Sequence, residues 1–298
     1  MKSVISYPDR GPYGNNRYRG NCSGYVIKDL IEHFRPALFV DVCEGSGTSR
    51  DVAREMGVRY IGLDLHKGFD FTQHSVLNAI GGEPAPMVFS HPPYYDIIRY
   101  QDERKKHGLT INPNENDLSS SVSIDEFLEK CNVMLLNQRE ATMSGGVYTS
   151  LIGDVRKGGK FHSFQSDFIK MMPKDELLSV VIKMQHNMVS AGRSYRGNII
   201  EIWHEYLLIW KKQEVTLAQI TWDKAKELQN GMHATWRSFI RIALMNLGGT
   251  ATLDKIYEEV ARVAGEKVKS NIHYREKIRQ TLQKHFCSVS RGKWAVAA

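Results

Sequence analysis

The chain has 298 residues, of which 42% are hydrophobic, enough for one large and one small domain and too apolar for a disordered segment. It lacks an apolar run of the ~18 residues a membrane span needs and a signal-peptide core after Met1, and Cys22, Cys43, Cys131 and Cys287 are too scattered for a disulfide framework or zinc finger, so a reducing cytoplasm is expected. The formal charge of +7 sits wholly in residues 232–298, with twelve basic and five acidic side chains, which points to a polyanion-binding appendage with nucleic acid as first candidate.

Residues 1–24, rich in Gly, Tyr, Asn and Arg, read as an irregular arm leading to a helix over 25–34 that Pro36 ends. Residues 37–42 form an apolar strand, followed by the turn Cys43-Glu44-Gly45-Ser46-Gly47-Thr48 and a helical pattern through Met56. A second apolar run, 60–63, ends on Asp64. This strand, turn, helix and strand open a parallel α/β sheet, and a right-handed crossover puts the turn at the carboxyl edge of the strands. A short helix is expected over 73–80, then a strand over Met87-Val88-Phe89 that stops on Pro92-Pro93. Residues 101–122 read as a long loop, and Ser123 caps a helix over 124–138. Next come a strand at 146–152, a helix near 161–172 and strands at 176–184 and 198–210, with a polar hairpin, 185–197, between the last two. Trp203, Trp210 and Trp294 are expected in the core. Arg156, Lys157 and Lys160 are candidates for phosphate contacts.

The tail has helical patterns at 236–247, 253–263 and 272–286, then two short strands around Arg291-Gly292. Three helices and a β-ribbon make a winged helix-turn-helix. Its third helix carries Arg275, Lys277, Arg279 and Lys284, and its ribbon Arg291 and Lys293. With Arg193 and Arg196 of the polar hairpin, these are the candidate contacts to double-stranded DNA.

Two stretches carry chemistry. The turn Gly45-Ser46-Gly47 lets backbone approach a bound cofactor and aims a helix N-terminus at it, while Asp64, 23 residues beyond Asp41, is placed to accept ribose hydroxyls. The dinucleotide fingerprint lacks its third glycine here, which favours a nucleoside cofactor without a pyrophosphate. Turn-stabilising carboxylates are the structural alternative for both aspartates. A strand that stops on Pro-Pro leaves carbonyls without ladder partners beside Tyr94 and Tyr95, a pocket for a flat group bearing an amine.

Phe39-Val40-Asp41-Val42-Cys43-Glu44-Gly45-Ser46-Gly47-Thr48 followed by His91-Pro92-Pro93-Tyr94 resembles the cofactor and catalytic motifs of the amino-group DNA methyltransferases, which modify adenine N6 or cytosine N4. His204-Glu205-Tyr206-Leu207-Leu208-Ile209-Trp210 resembles the final strand of their catalytic domain, and the likeness covers roughly residues 15–212. It implies S-adenosylmethionine as cofactor and an α/β fold: a Rossmann-like methyltransferase sheet with a reversed final strand, joined to the winged helix. The implied division is a catalytic domain at 1–212, a connecting helix at 213–231 and a DNA-binding domain at 232–298. Asp41, Gly45 and Gly47, with Ser46 and Thr48, would line the methionine half of the cofactor, Asp64 the ribose, and Asp70 with Phe71 the adenine. Asn21 and Ser23 resemble the family's N-terminal cofactor motif.

In the diproline loop the Pro92 carbonyl would accept from the target amine, with Pro93 holding the turn and Tyr94 stacking on an extruded base. His91 stands where the family has Asp, Asn or Ser. A neutral imidazole accepts one hydrogen bond and an imidazolium none, so activity is expected to fall through about pH 6–7. The implied activity is adenine-N6 methylation of DNA in a restriction-modification setting, at the nucleoid, with no metal. Cytosine-N4, RNA or protein-amide methylation, or a non-catalytic DNA-binding regulator, are the alternatives.

Overall fold

The computed structural model describes residues 1–15, 17–106, 108, 114, 116–186, 198–214, 236–269 and 271–295, and the chain divides into two units, Met1–Glu214 and Val215–Ala298. In the first, short apolar runs become β1 (Val4–Ser6), β2 (Leu38–Asp41), β3 (Arg59–Gly62), β4 (Ala85–Ser90), β5 (Thr142–Ile152), β8 (Leu177–Met184) and β9 (His204–Lys211). They form one sheet in the order β1-β8-β9-β5-β4-β2-β3. Strand β9 runs antiparallel to β5 and β8, and every other pair in the sheet is parallel. A mixed seven-stranded sheet of this kind fits the Rossmann-like expectation, with its reversed strand between β5 and β8 rather than at an edge.

The two-residue period of a strand sorts its side chains between faces. Val40 and Val88 join one core with Phe127, Met134, Phe164 and Phe168 from α5 (Ile124–Glu140) and α6 (Phe164–Met171). Phe39, Met87 and Phe89 join the other with Val26, Ile27, Leu30, Val52 and Ala53 from α1 (Gly24–Phe34) and α2 (Thr48–Glu55). The product is a helix, sheet, helix sandwich in which the central strands are covered on both sides.

Several elements depart from expectation. The arm contains β1, paired in parallel with β8. The helix expected over 73–80 shrinks to α3 (Val76–Ala79), and the expected long loop holds α4 (Tyr100–Lys106), with Asp102 and Glu103 in its first turn and Arg104, Lys105 and Lys106 in its last. That charge order complements the helix dipole. Phe161 belongs to a hairpin of β6 (Val155–Lys157) and β7 (Lys160–His162), not to the helix behind it. Trp210 is fully buried, but Trp203 is 48% exposed, because β9 begins only at His204 and residues 198–203 run outside the sheet. The polar hairpin with Arg193 and Arg196, and all but the first two residues of the expected connecting helix, lie outside the described residues.

The second unit comprises α7 (Trp236–Asn246), β10 (Thr250–Thr252), α8 (Leu253–Lys269, interrupted at Gly265), α9 (Tyr274–His285), β11 (Cys287–Ser290) and β12 (Lys293–Ala295). Its strands form an antiparallel sheet in the order β10-β12-β11. Ile240, Leu244, Ile256, Val260, Ile278 and Leu282 make its core. On α9 that leaves Arg275, Lys277, Arg279 and Lys284 exposed, as are Arg291 and Lys293. No helix among the described residues is long and apolar enough to cross a membrane.

Candidate active site at the carboxyl edge of the sheet

Because β2, β3 and β4 are parallel neighbours, the segments that follow them emerge at one edge. Backbone bonds lock them together: Val42 N donates to Phe89 O (3.0 Å), Leu63 N to Asp41 O (2.8 Å) and Glu44 N to Leu63 O (3.0 Å). Asp64 then fixes the glycine turn, its carboxylate accepting from Gly45 N and His66 N at 2.9 Å each. Gly47, at φ 90°, takes a left-handed conformation that lets the chain swing into α2. The arm folds over this turn, with Ser46 Oγ donating to Asn21 Oδ1 (2.6 Å) and accepting from Asn15 N (3.0 Å).

Two cavities open here. The narrower is lined by Asn21, Asp41, Gly45, Thr48, Asp64, Phe71, His91 and Pro93 from among the expected site residues. Tyr100, which sequence reading places either at the border of the base pocket or against the following loop, lines it too, as do Tyr18, Cys22, Glu44, Ser49, Leu65, His66, Asp117 and Leu118, which were given no site role from sequence. Asp70, Ser46, Gly47 and Ser23 do not. Ser23 caps α1 by accepting from Tyr25 N (3.3 Å) and lines the second cavity, while the Asp70 carboxylate, expected at the cofactor adenine, accepts from Thr72, Asn114 and Asn116. The second cavity, about 930 Å³, is lined by Arg10, Arg19, Pro92, Tyr94, Asp154, Arg156, Lys183, Gln185, His204 and Glu205 among others. Gly20, Asn21, His91 and Tyr100 line both.

The narrow cavity is acidic at one end. Burial pushes the Asp41 carboxyl up to about 7, and Glu44 and Asp64 add to this, against hydrogen bonds from Ser49 and from Cys43 N (2.9 Å). Glu44 is itself buried and paired with Lys67 and with Arg50 (3.3 Å). Thr48 Oγ1, His66 Nδ1 and Asp117 Oδ2 are buried without a hydrogen-bond partner among the described residues, and all three belong to side chains of this cavity. Unpaired polar atoms on lining residues suit a polar ligand that reaches them.

The diproline loop is held by its neighbours. Ser90 Oγ donates to Ser150 Oγ (3.0 Å), and Tyr95, left-handed at φ 56°, is buried against Phe127. His91 Nε2 lies 3.0 Å from the Tyr94 hydroxyl, which also faces the Glu205 carboxylate. Glu205 is buried and accepts from Lys183 Nζ (2.8 Å) and Gln185 Nε2 (2.6 Å). Burial pushes its carboxyl up, and Lys183 and His91 more than reverse this, leaving it below the usual range. Burial lowers His91 to about 4, with Lys183 and Arg10 assisting and Glu205 opposing. The expected titration over pH 6–7 is thus displaced to about 4, and the ring is neutral at physiological pH. In the tautomer whose Nε2–H donates to the Tyr94 oxygen, Nδ1 is the acceptor nitrogen of the neutral ring. The Tyr94 ring packs over Gly153, where an added Cβ would lie 2.7 Å from it. Sequence reasoning saw His91 and Tyr94 but not Glu205, which arrives from β9.

No family model matches the chain, and no curated protein does. Among solved structures it is similar to a Thermus thermophilus protein provisionally called a DNA modification methylase, at 14% identity over 64% of this chain and 60% of that one, TM-score 0.30. It is also similar to TrmN from Thermus thermophilus (11% identity, 65% of this chain and 50% of that one, TM-score 0.34) and to an rRNA methylase from Streptococcus thermophilus (12%, 64% and 96%, TM-score 0.31). The likeness therefore spans 60% and 50% of the length of the first two.

Proposed function

We propose that the chain is an S-adenosylmethionine-dependent methyltransferase acting on an exocyclic amine of a base in double-stranded DNA, adenine N6 by preference. The observation that carries this reading is the shared wall: a donor in the narrow cavity and an acceptor in the open one would meet at His91 and the diproline loop. Bound in the narrow cavity, S-adenosylmethionine supplies an activated methyl group on a cationic sulfur. The residues fit it. Asp41, Glu44 and Asp64 offer negative charge, the N-terminus of α2 and the turn at Gly45 offer backbone, and Phe71, Leu65 and Leu118 offer apolar walls for a flat base.

On the acceptor side the Pro92 carbonyl and His91 Nδ1 accept the two amine hydrogens. That arrangement favours a pyramidal nitrogen whose lone pair is available for attack. Tyr94 orients His91 through its hydroxyl, with Glu205 nearby, and its ring, expected to stack on the extruded base, packs over Gly153. The open cavity, at about 930 Å³, accommodates an extruded purine, and Arg10, Arg19 and Arg156 favour a polyanion at its rim. Adenine is chosen over cytosine by the resemblance of the motifs alone.

The second unit supports the DNA reading independently. Helix, strand, two helices and a two-stranded ribbon follow the order of a winged helix, and α9 leaves Arg275, Lys277, Arg279 and Lys284 exposed, Lys277 and Lys284 on the side away from its buried Ile278 and Leu282 and Arg275 beside that face, over the Tyr257 ring. Arg291 and Lys293 lie at the tip of the ribbon. The test is incubation with mixed-sequence duplex DNA and methyl-labelled S-adenosylmethionine, then nucleoside mass spectrometry. N6-Methyl-2′-deoxyadenosine is expected; N4-methyl-2′-deoxycytidine would change the base, and label in RNA or protein but not in DNA would refute the DNA assignment.

A further inference from the structure

Two aspartates near the narrow cavity differ in how much of each carboxylate is already engaged. Asp70 Oδ1 accepts from Thr72 N (2.8 Å) and Thr72 Oγ1 (2.6 Å), and its Oδ2 from Asn114 Nδ2 (3.2 Å) and Asn116 Nδ2 (2.9 Å). Four donors fill its acceptor sites. Asp117 Oδ1 accepts from Ser119 N (2.8 Å) and Ser119 Oγ (2.7 Å), which caps the short helix Leu118–Ser120. Its Oδ2 has no partner among the described residues, although the residue is only 3% exposed.

A buried carboxylate oxygen without a donor is costly, and on a residue that lines a cavity a ligand donor that reaches it removes that cost. The same stretch of wall holds Leu65, Phe71 and Leu118, apolar surfaces suited to a flat ring, and His66, whose Nδ1 is bare as well. A planar heterocycle with an exocyclic N–H is the ligand chemistry this combination admits. We propose that Asp117, rather than Asp70, recognises the exocyclic amine of the cofactor adenine through Oδ2. Asp70 instead tethers the segment carrying Asp117 by way of Asn114 and Asn116. The assignment rests on the S-adenosylmethionine reading of the cavity.

The test compares equilibrium binding of S-adenosylhomocysteine and of its 6-oxo counterpart, S-inosylhomocysteine, by titration calorimetry on the full chain. A carboxylate repels a 6-oxo oxygen, whereas the amide of Asp117→Asn offers either a donor or an acceptor. Wild type should prefer the amino ligand by roughly 100-fold, and Asp117→Asn should reduce that ratio to about fivefold or less. Asp117→Ser, which keeps an oxygen for Ser119, is measured alongside in case the Asn variant does not fold. Asp70→Asn should keep the wild-type ratio. The assignment is overturned if both Asp117 variants discriminate as wild type does, or if Asp70→Asn alone abolishes discrimination. Wild type that binds neither ligand would instead refute the cofactor reading itself, and this assignment with it.

Discussion

Asp41 is the group through which pH should enter cofactor binding. Burial at 2% exposure, with Glu44 and Asp64 close by, raises its carboxyl to about 7, so in the free chain it is about 90% ionised at pH 8 and about 1% at pH 5. A cationic ligand beside it holds it ionised. Affinity should then fall about 90-fold from pH 8 to pH 5, approaching tenfold per unit at the acid end, and binding at pH 7 should release about half a proton. Titration calorimetry with S-adenosylmethionine at pH 5, 6, 7 and 8, in two buffers of different ionisation enthalpy, reads both quantities. Asp41→Asn should bind weakly and with no such pH dependence. The folded pKa is raised above the unfolded value, so the associated stability is complete below about pH 4 and is lost as pH rises through about 7, up to about 4 kcal/mol. Free Asp41→Asn should therefore melt higher than wild type at pH 8 while binding worse. Affinity independent of pH in wild type, or an Asn variant with the wild-type profile, would refute the reasoning.

His91, lowered to about 4, predicts that methylation at S-adenosylmethionine kept saturating at each pH stays level from pH 8 to about 5 and then declines, with His91→Ala crippled at every pH and cofactor binding intact; a half-maximum near pH 6.5 under saturation would show a solvated ring. Its lowered pKa also means stability that is full above pH 6.5 and lost as pH falls toward 4, so His91→Asn should lose less in melting temperature between pH 7 and 4.5. In Gly20→Ala the new Cβ would lie 2.0 Å from Tyr100 Oη at a φ of 82°, so ligand binding in both cavities should weaken and stability should drop by roughly 1–3 kcal/mol. Adding Tyr100→Phe should restore part of that loss in a double-mutant cycle, and strict additivity would exclude the clash. Deleting residues 232–298 should raise the KM for DNA and flatten its salt dependence while leaving cofactor affinity alone; an unchanged salt slope would assign the second unit another role.

Strands β2, β4 and β9 and the helices α1 and α5 were legible because each is a run long enough to carry a period or a cap, as with Ser123, whose Oγ accepts from Glu126 N. The strands β1, β6, β7 and β10 have three residues each, too few for alternation to register, and the pairing of β1 and β10 is supplied by distant chain. In the site, the turn at Gly45 and the loop at His91 could be read because their chemistry is local. Asp70 and Asp117 could not be ranked, since what separates them is the donors each meets, and those of Asp70 include side chains 44 and 46 residues away. Glu205 was read only as part of a strand, and its place in the wall was missed for the same reason: its partners Lys183 and Gln185 are 22 and 20 residues away.

The wall common to the two cavities has a thermodynamic consequence. Tyr100 stacks on Tyr18, with ring centroids 5.7 Å apart, and its hydroxyl abuts Gly20, so a ligand that shifts one of these groups shifts the boundary of the neighbouring cavity as well. Affinities on the two sides then cannot be independent, and whatever factor one ligand contributes to the binding of the other is returned unchanged in the opposite direction. On the proposed function, transfer of a methyl group would alter both occupants of that boundary at once. Departure of either product therefore changes the hold on the one that remains, and the order in which they leave becomes a property of Gly20, Asn21, His91 and Tyr100.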